Sequence, residues 1–354
     1  MFVCIGLDVH AKLITGYAVP LSIEDEEEKE FCAEFNREFK KIPAEKSDLL
    51  RMASWLKDVE HSILIENSTK THEVFWTLVD AGCTVVVANA RDLYRITKSV
   101  KKTDYHDSKE LASYMRRRVM GEDEFAVCLM VDDVWMNRRQ ICRIYAQSSF
   151  ELSDMRRRIR SYMLLRGIKL PRMEQDITAE YNLKELESTA DTATNFLIGK
   201  ARTLVKEEKA VIKEIGKEFA DDRTYKIIKS IPGFGVVTSA YLTSVIIDID
   251  RFESPNAFAA YFGIVPKQRE SSDRSVRCGS THRGDEIARQ MLATATHLHI
   301  SKDTDRVSSV SRMYDKLKKR GLPHKKALIA CANKMAHIIY ALLKKEEAYQ
   351  NGKR

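Results

Sequence analysis

Over the first hundred residues, short apolar runs alternate with polar breaks at the spacing of strands and helices. Residues 2–9 form an almost unbroken apolar run, Phe2-Val3-Cys4-Ile5-Gly6-Leu7, that ends at Asp8; such runs mark strands buried on both faces. His10-Ala11 then reads as a tight turn, and 12–19 alternates loosely as a second strand. The acidic stretch 23–30 reads as a surface loop. Phe31, Ala33, Phe35 and Phe39 fall on a period of two and predict a third, weaker strand. Leu49, Leu50, Met52, Trp55 and Leu56 give 44–58 a helical period. Residues 62–66 read as a short buried strand, 70–81 as a helix stopped by Gly82, and 84–88 as another strand. A helix near 91–98 precedes a basic loop, and a helix over 107–118 closes with Arg116-Arg117-Arg118.

The pattern changes near residue 131. Val134, Ile141, Ile144, Tyr145, Leu152, Met155, Ile159 and Tyr162 keep helical spacing, and so do Leu183, Leu186, Ala190, Ala193, Phe196 and Leu197 after the break at Pro171. This predicts a long antiparallel helix pair or coiled-coil arm, a spacer or a contact between copies of the chain. Its cations Arg156-Arg157-Arg158, Arg160 and Arg166 either line nucleic acid or form a solvated face. A third segment starts near Asp222. Ile231-Pro232-Gly233-Phe234-Gly235, followed by the apolar run 236–245, predicts a helix-hairpin-helix whose glycine N–H groups suit a phosphate; the plainer reading is a corner between two helices. A helix over 255–262, a polar loop over 265–282 and helices near 284–300, 303–320 and 324–346 complete the chain. Three domains follow: 1–130, 131–220 and 221–354. The first is α/β and the others are mainly helical.

Composition narrows the class. A chain of 354 residues that is 44% hydrophobic and 31% charged is globular, not disordered. A net charge of +8 favours a polyanionic partner. The seven cysteines form no CxxC pair and no His/Cys metal spacing, which fits reduced thiols in a cytoplasmic protein. No apolar run suggests a membrane span or a secretory signal, so no membrane partner is expected.

The chemistry concentrates in acids. Asp104 and Asp107 stand three apart where a basic loop becomes a helix, which puts both on one face. Two like charges so placed call for a cation between them, and Mg²⁺ (or Mn²⁺) takes oxygen ligands. Asp8 ends the first apolar run and Glu66 ends Ile63-Leu64-Ile65. Carboxylates at two strand ends plus a pair on a helix make a candidate metal-dependent phosphoryl-transfer site. The ordinary alternative is that Asp104 caps the helix and Asp107 faces its dipole. His10 is either a fifth site group or an exposed turn residue, and His282 offers the same choice. A strand hairpin followed by strands alternating with helices implies a mixed sheet covered by helices, the order of the ribonuclease-H-like fold. The polar loop gathers hydroxyls among cations, from Lys267 through Ser271, Ser272 and Ser275 to Arg277. A serine there could attack a phosphodiester, although loop serines more often cap or solvate.

Two separate groups of motifs resemble one family. Gly6-Leu7-Asp8-Val9-His10, Ile65-Glu66-Asn67-Ser68-Thr69 and Lys102-Thr103-Asp104 with Asp107 resemble the N-terminal DEDD signature of the insertion-sequence-110-type transposases, relatives of the Piv-type invertases. Ser230 to Gly235, Arg251-Phe252, Ala260 to Pro266 and Arg283-Gly284-Asp285 resemble that family's second domain. The resemblance implies a RuvC-like ribonuclease-H-fold domain joined through a coiled coil to a helical transposase domain. It implies a DNA recombinase guided by a structured bridge RNA and acting as a homo-oligomer, dimer to tetramer, whose active sites combine domains of different subunits. Carried over, Asp8, Glu66, Asp104 and Asp107 hold the metal, and Ser271 is the nucleophile. Family members commonly read Ser-Gly there, whereas Ser272 stands at the glycine and so rivals Ser271. Two other functions fit parts of the pattern. A ribonuclease-H-fold nuclease or junction resolvase would use water and has no need of the 230–285 block. A catalytically inactive nucleic-acid-binding protein has no need of four acids.

Overall fold

The structure is a computed structural model that describes residues 1–89, 93, 103–168, 176–188, 191–271, 274–280 and 284–350. It divides into two units, Met1–Val131 and Asp132–Arg354.

The first unit is mixed α/β. Strands β1 (Phe2–Val9) and β2 (Leu13–Pro20) form an antiparallel hairpin, followed by α1 (Glu26–Glu38) and the short edge strand β3 (Ile42–Pro43). Then come α2 (Lys46–Trp55), β4 (Glu60–Glu66), α3 (Thr71–Asp80), β5 (Val85–Ala88) and α4 (Asp104–Val119). The sheet runs β3-β2-β1-β4-β5, with β4 parallel to both β1 and β5. Side-chain alternation sorts its two faces. Val3, Ile5, Leu7 and Val9 pack with Phe35, Phe39, Met52 and Leu78. Cys4 and Leu64 pack on the other face with Leu111, Tyr114 and Met115 of α4.

Two expectations fail here. The third strand is instead α1, because the same phenylalanines are also four apart: Cys32, Phe35 and Phe39 are buried while Ala33 is exposed. Nor is the acidic stretch a loop. Asp25 caps α1 by accepting from the Glu28 N–H, and Glu26, Glu27 and Glu28 occupy the first turn, where the helix dipole favours them. Glu28 is itself buried, accepting from the main-chain N–H groups of Phe2 (2.6 Å) and Ser22 (2.9 Å). The helix expected near 91–98 lies outside the described residues.

The second unit is mainly helical. Helix α5 (Asp133–Leu165) packs on α7 (Thr192–Glu218), and the helix expected over 183–218 is interrupted after α6 (Glu180–Ser188). The pair is antiparallel. Near the start of α5, Arg138 bonds Glu218, the last residue of α7, and Asp222 just beyond it. Near the end of α5, the Tyr162 hydroxyl bonds Asp191, which caps the start of α7. Pro171 lies outside the described residues. Helices α8 (Arg223–Lys229), α9 (Val236–Ile246) and α10 (Pro255–Tyr261) lead to a two-stranded hairpin, β6 (Pro266–Ser271) and β7 (Arg274–Ser280). Helices α11 (Glu286–Lys302), α12 (Ser309–Lys319) and α13 (His324–Lys345) follow. The hairpin replaces the expected polar loop. Its antiparallel pairing is a main-chain matter, and a stretch without apolar alternation gives no strand signal to read. Among the described residues α13 alone has the length and hydropathy of a membrane span, against expectation. However, Cys331, Met335, Ala336 and Ile339 of α13 belong to the unit's core, so it is a core helix.

Candidate active site

Parity along the strands places the first two acids. Asp8 follows Cys4 and Gly6 on the face of β1 that meets α4, and Glu66 follows Leu64 on the same face of β4. Leu7 pairs with Ile65 in the parallel register, so the two acids leave adjacent strand ends. Gly6 sets the depth of the helix. A Cβ there would fall 2.1 Å from the Ser108 carbonyl oxygen and 2.4 Å from the Ala112 nitrogen, so α4 rests directly on the β1 backbone. The first turn of α4, with Asp104 and Asp107, is thereby brought over the end of β1. Thr103 caps that helix by accepting from the His106 N–H at 3.2 Å. Asp104 is therefore not the cap, and its carboxylate turns to the site.

The groups converge. His10 Nε2 lies 3.2 Å from Asp8 Oδ2 and 3.5 Å from Asp104 Oδ1. One ligand atom from each of Asp8, His10 and Asp104 lies within 4.8 Å of the other two, a donor set that fits a divalent ion. Burial raises the pKa of Asp8 above the carboxylate range; His10 pulls it back, while Asp104 and Asp107 push it further up. Glu66 is raised by burial, then by Asp8 and Asp107. Asp8 thus feels the charge of each of the other three acids, while the convergent donor set itself comprises Asp8, His10 and Asp104, without Glu66 or Asp107. His10, half-exposed at its turn, joins Asp8 and Asp104; its two-residue distance from Asp8 was the only sequence signal for that. The loop after β4 is tied to the same corner, with the Ser68 hydroxyl donating to the Val9 carbonyl at 3.3 Å.

The remaining candidates lie in the second unit. Ser271 ends β6 and pairs with Arg274 of β7. Ser272, His282 and Arg283 lie outside the described residues, as does Lys102 of the first unit. Residues 230–235 connect α8 to α9. Gly233 has φ +96°, and a Cβ on it would stand 2.5 Å from the His299 nitrogen of α11. His299 is buried. Its Nδ1 lies 2.8 Å from the Pro232 carbonyl and its Nε2 2.9 Å from the Ser308 hydroxyl. Asp285 caps α11 and accepts from the Tyr241 hydroxyl.

Residues 225–312, from α8 into α12, match the family model Transposase IS116/IS110/IS902. This segment is similar to the IS116/IS110/IS902 transposases. The chain is 34% identical over 128 residues to the transposase for insertion sequence element IS1111A of Coxiella burnetii, covering 35% of this chain and 34% of that protein. It is 26% identical over 132 residues to the transposase for insertion sequence element IS1328 of Yersinia enterocolitica, covering 37% and 39%. The putative transposase y4pF/y4sB of Sinorhizobium fredii is 32% identical over 151 residues, covering 42% and 38%. The chain thus spans between a third and two fifths of the length of these relatives. The matched segment contains residues 230–235 between α8 and α9, the β6–β7 hairpin, the Tyr241–Asp285 pair and His299.

Proposed function

We propose that this protein is the transposase of a mobile insertion sequence and cuts and rejoins DNA by attack of a serine hydroxyl. The observation that carries the reading is the convergence of Asp8, His10 and Asp104 in a chain whose second unit contains a segment similar to the IS116/IS110/IS902 transposases. The strand order of the first unit suits a ribonuclease-H-like, RuvC-type domain, and the α5/α7 pair suits a coiled-coil arm. Asp8, Glu66, Asp104 and Asp107 are the residues to hold Mg²⁺ or Mn²⁺. When bound, such ions stabilise charge on the entering and leaving oxygens of a phosphoryl transfer. The carboxylates orient that charge, and removing one should cost on the order of a hundredfold in rate.

Ser271, at the end of β6, is the proposed nucleophile, with Ser272 beside it as rival. Its oxygen bonds to phosphorus, one DNA P–O bond breaks, and the departing DNA oxygen takes a proton. The linkage conserves bond energy, so a second DNA end can reverse the attack and reseal the strand. The partners are donor and target DNA, a structured guide RNA, and further copies of the same chain.

Trapping is the direct test. Full-length protein incubated with the element's end DNA and Mg²⁺ is denatured, and DNA that stays on the protein is measured. Adduct is expected in the wild type and lost in Ser271→Ala. Full adduct in both Ser271→Ala and Ser272→Ala removes the serine mechanism. Free nicks without adduct point to a nuclease that uses water. Sequencing RNA that copurifies from cells carrying the flanking DNA tests the guide, which a discrete bound RNA supports.

A further inference from the structure

The second unit carries an arginine-lined cavity that the proposed chemistry leaves unused. Arg139 and Arg143, one turn apart on α5, line a space of about 300 Å³ with Tyr241, Ser244, Tyr261 and Asp285. Arg139 is fixed along one edge, its Nε donating to the Ser244 carbonyl at 3.0 Å. Arg251 stacks beside the cavity, its guanidinium 4.6 Å from the Tyr261 ring and 4.7 Å from that of Phe252. Its Nη1 is buried and meets no hydrogen-bond acceptor among the described residues. Among the described lining residues only Asp285 is acidic, and it is already committed. It accepts from the Tyr241 hydroxyl at 3.2 and 3.1 Å and from the Ala288 N–H at 2.9 Å.

Two guanidiniums therefore line, and a third flanks, a part-buried space in which the one acid among the described lining residues is already occupied. Burial lowers the pKa of Arg139; Tyr261 and Asp285 oppose this, and Arg251 and Arg143 add to it. Arginine does not deprotonate under such pressure; the excess charge stays and is relieved by an anion. A phosphodiester suits it, since its paired oxygens match the fork of a guanidinium. The location adds meaning. Tyr261 stands just before β6, and Asp285 just after β7. A left-handed Gly284 (φ +89°) presses against the Tyr261 carbonyl and closes the root of the hairpin, so the cavity and the hairpin share one base.

The geometry points to a seat for a DNA backbone phosphate at the root of the β6–β7 hairpin. The choice of DNA rests on the transposase reading; the anion site itself does not. The test is an equilibrium one. Full-length protein in EDTA, where no metal-dependent chemistry runs, is titrated with a short fluorescein-labelled duplex of arbitrary sequence across a salt series. Arg139→Gln and Arg143→Gln should each weaken binding on the order of tenfold and reduce the slope of log affinity against log salt by about 0.9. Lys302→Gln makes the same charge change at the far end of α11 and should leave affinity within about twofold, as surface charges outside a contact do. Arg143→Lys should recover part of the loss. Arg143 is exposed, so its variants keep the test informative if Arg139→Gln fails to fold. The proposal is overturned by unchanged slopes in both pocket variants, by equal weakening in Lys302→Gln, by a wild type that does not bind the duplex, or by losses seen with RNA but not DNA. Failure to trap a serine adduct would leave a positive result here intact, since no bond is made in this assay.

Discussion

Gly6 of β1 lies against Ser108 of α4 so closely that a methyl group on Gly6 would stand 2.1 Å from the Ser108 main-chain oxygen. This contact sets how far the first turn of α4 reaches over Asp8. Gly6→Ala should push the helix off the sheet, at a cost of about 1–3 kcal/mol as in other overpacked cores. Because Asp104 rides on that helix, the variant should also bind Mn²⁺ more weakly than the wild type does. Urea melts and Mn²⁺ titration check both halves. A destabilised variant with unchanged Mn²⁺ affinity would mean that α4 does not set the site.

The acids themselves should oppose the fold when no metal is present. Asp8 and Glu66 have raised pKa values, mainly from burial, so the folded state prefers their neutral forms. Their contribution is favourable at acid pH and is lost as pH rises through the folded values. Asp176, Asp191 and Asp303 of the second unit are shifted the other way, and hydrogen bonds hold their carboxylates below the usual range; wild-type melts alone would therefore mix the two trends. The informative quantity is the difference between Asp8→Asn and wild type in EDTA. It should grow in favour of the variant as pH rises above the ordinary carboxylate value and level off above the raised one. Added Mg²⁺ should stabilise the wild type and not the variant.

The connection between α8 and α9 should depend on a buried histidine. His299 joins the Pro232 carbonyl to the Ser308 hydroxyl, which also accepts from the Val310 N–H, so His299→Ala removes one partner from each and empties a buried position, at about 1–3 kcal/mol in all. Gly233→Ala meets a left-handed backbone as well as the α11 main chain, so it should be at least as damaging. Thermal melts of both variants should show lowered midpoints, and duplex binding by the folded fraction should fall with them if residues 230–235 offer N–H groups to DNA. Retained binding would make the motif a structural corner only.

These sites differ in how legible they were. The hairpin β1–β2, the buried strand β4 and the helices from 236 onward follow directly from runs and periods in the sequence. The carboxylates at the ends of β1 and β4 stood out because a charge that ends an apolar run is costly without a purpose. Three features were hidden for separate physical reasons. Phenylalanines spaced 2 and 4 apart satisfy both a strand and a helix, and only the cap at Asp25 and the burial of Glu28 decide for α1. Strands β6 and β7 are polar, so their pairing leaves no trace in hydrophobicity. The cavity at Arg139 is assembled from α5, α9, α10 and the start of α11, and no local pattern can announce a site made of four distant stretches.

Among the described residues His10 is the nitrogen donor of the Asp8, His10 and Asp104 set, and that should show in metal preference. Carboxylates alone suit Mg²⁺ and Mn²⁺ alike, whereas imidazole favours the transition metal. His10→Ala should therefore weaken Mn²⁺ binding on the order of tenfold while Mg²⁺ affinity changes by less than about twofold. Asp104→Asn removes a shared oxygen ligand and should weaken both. Calorimetric titration of the full chain with each ion separates the cases. A comparable loss of Mg²⁺ and Mn²⁺ in His10→Ala would show that the imidazole works by holding Asp8 and Asp104 in place instead of binding the ion. The 3.2 Å and 3.5 Å contacts to those two carboxylates would then be the whole of its role.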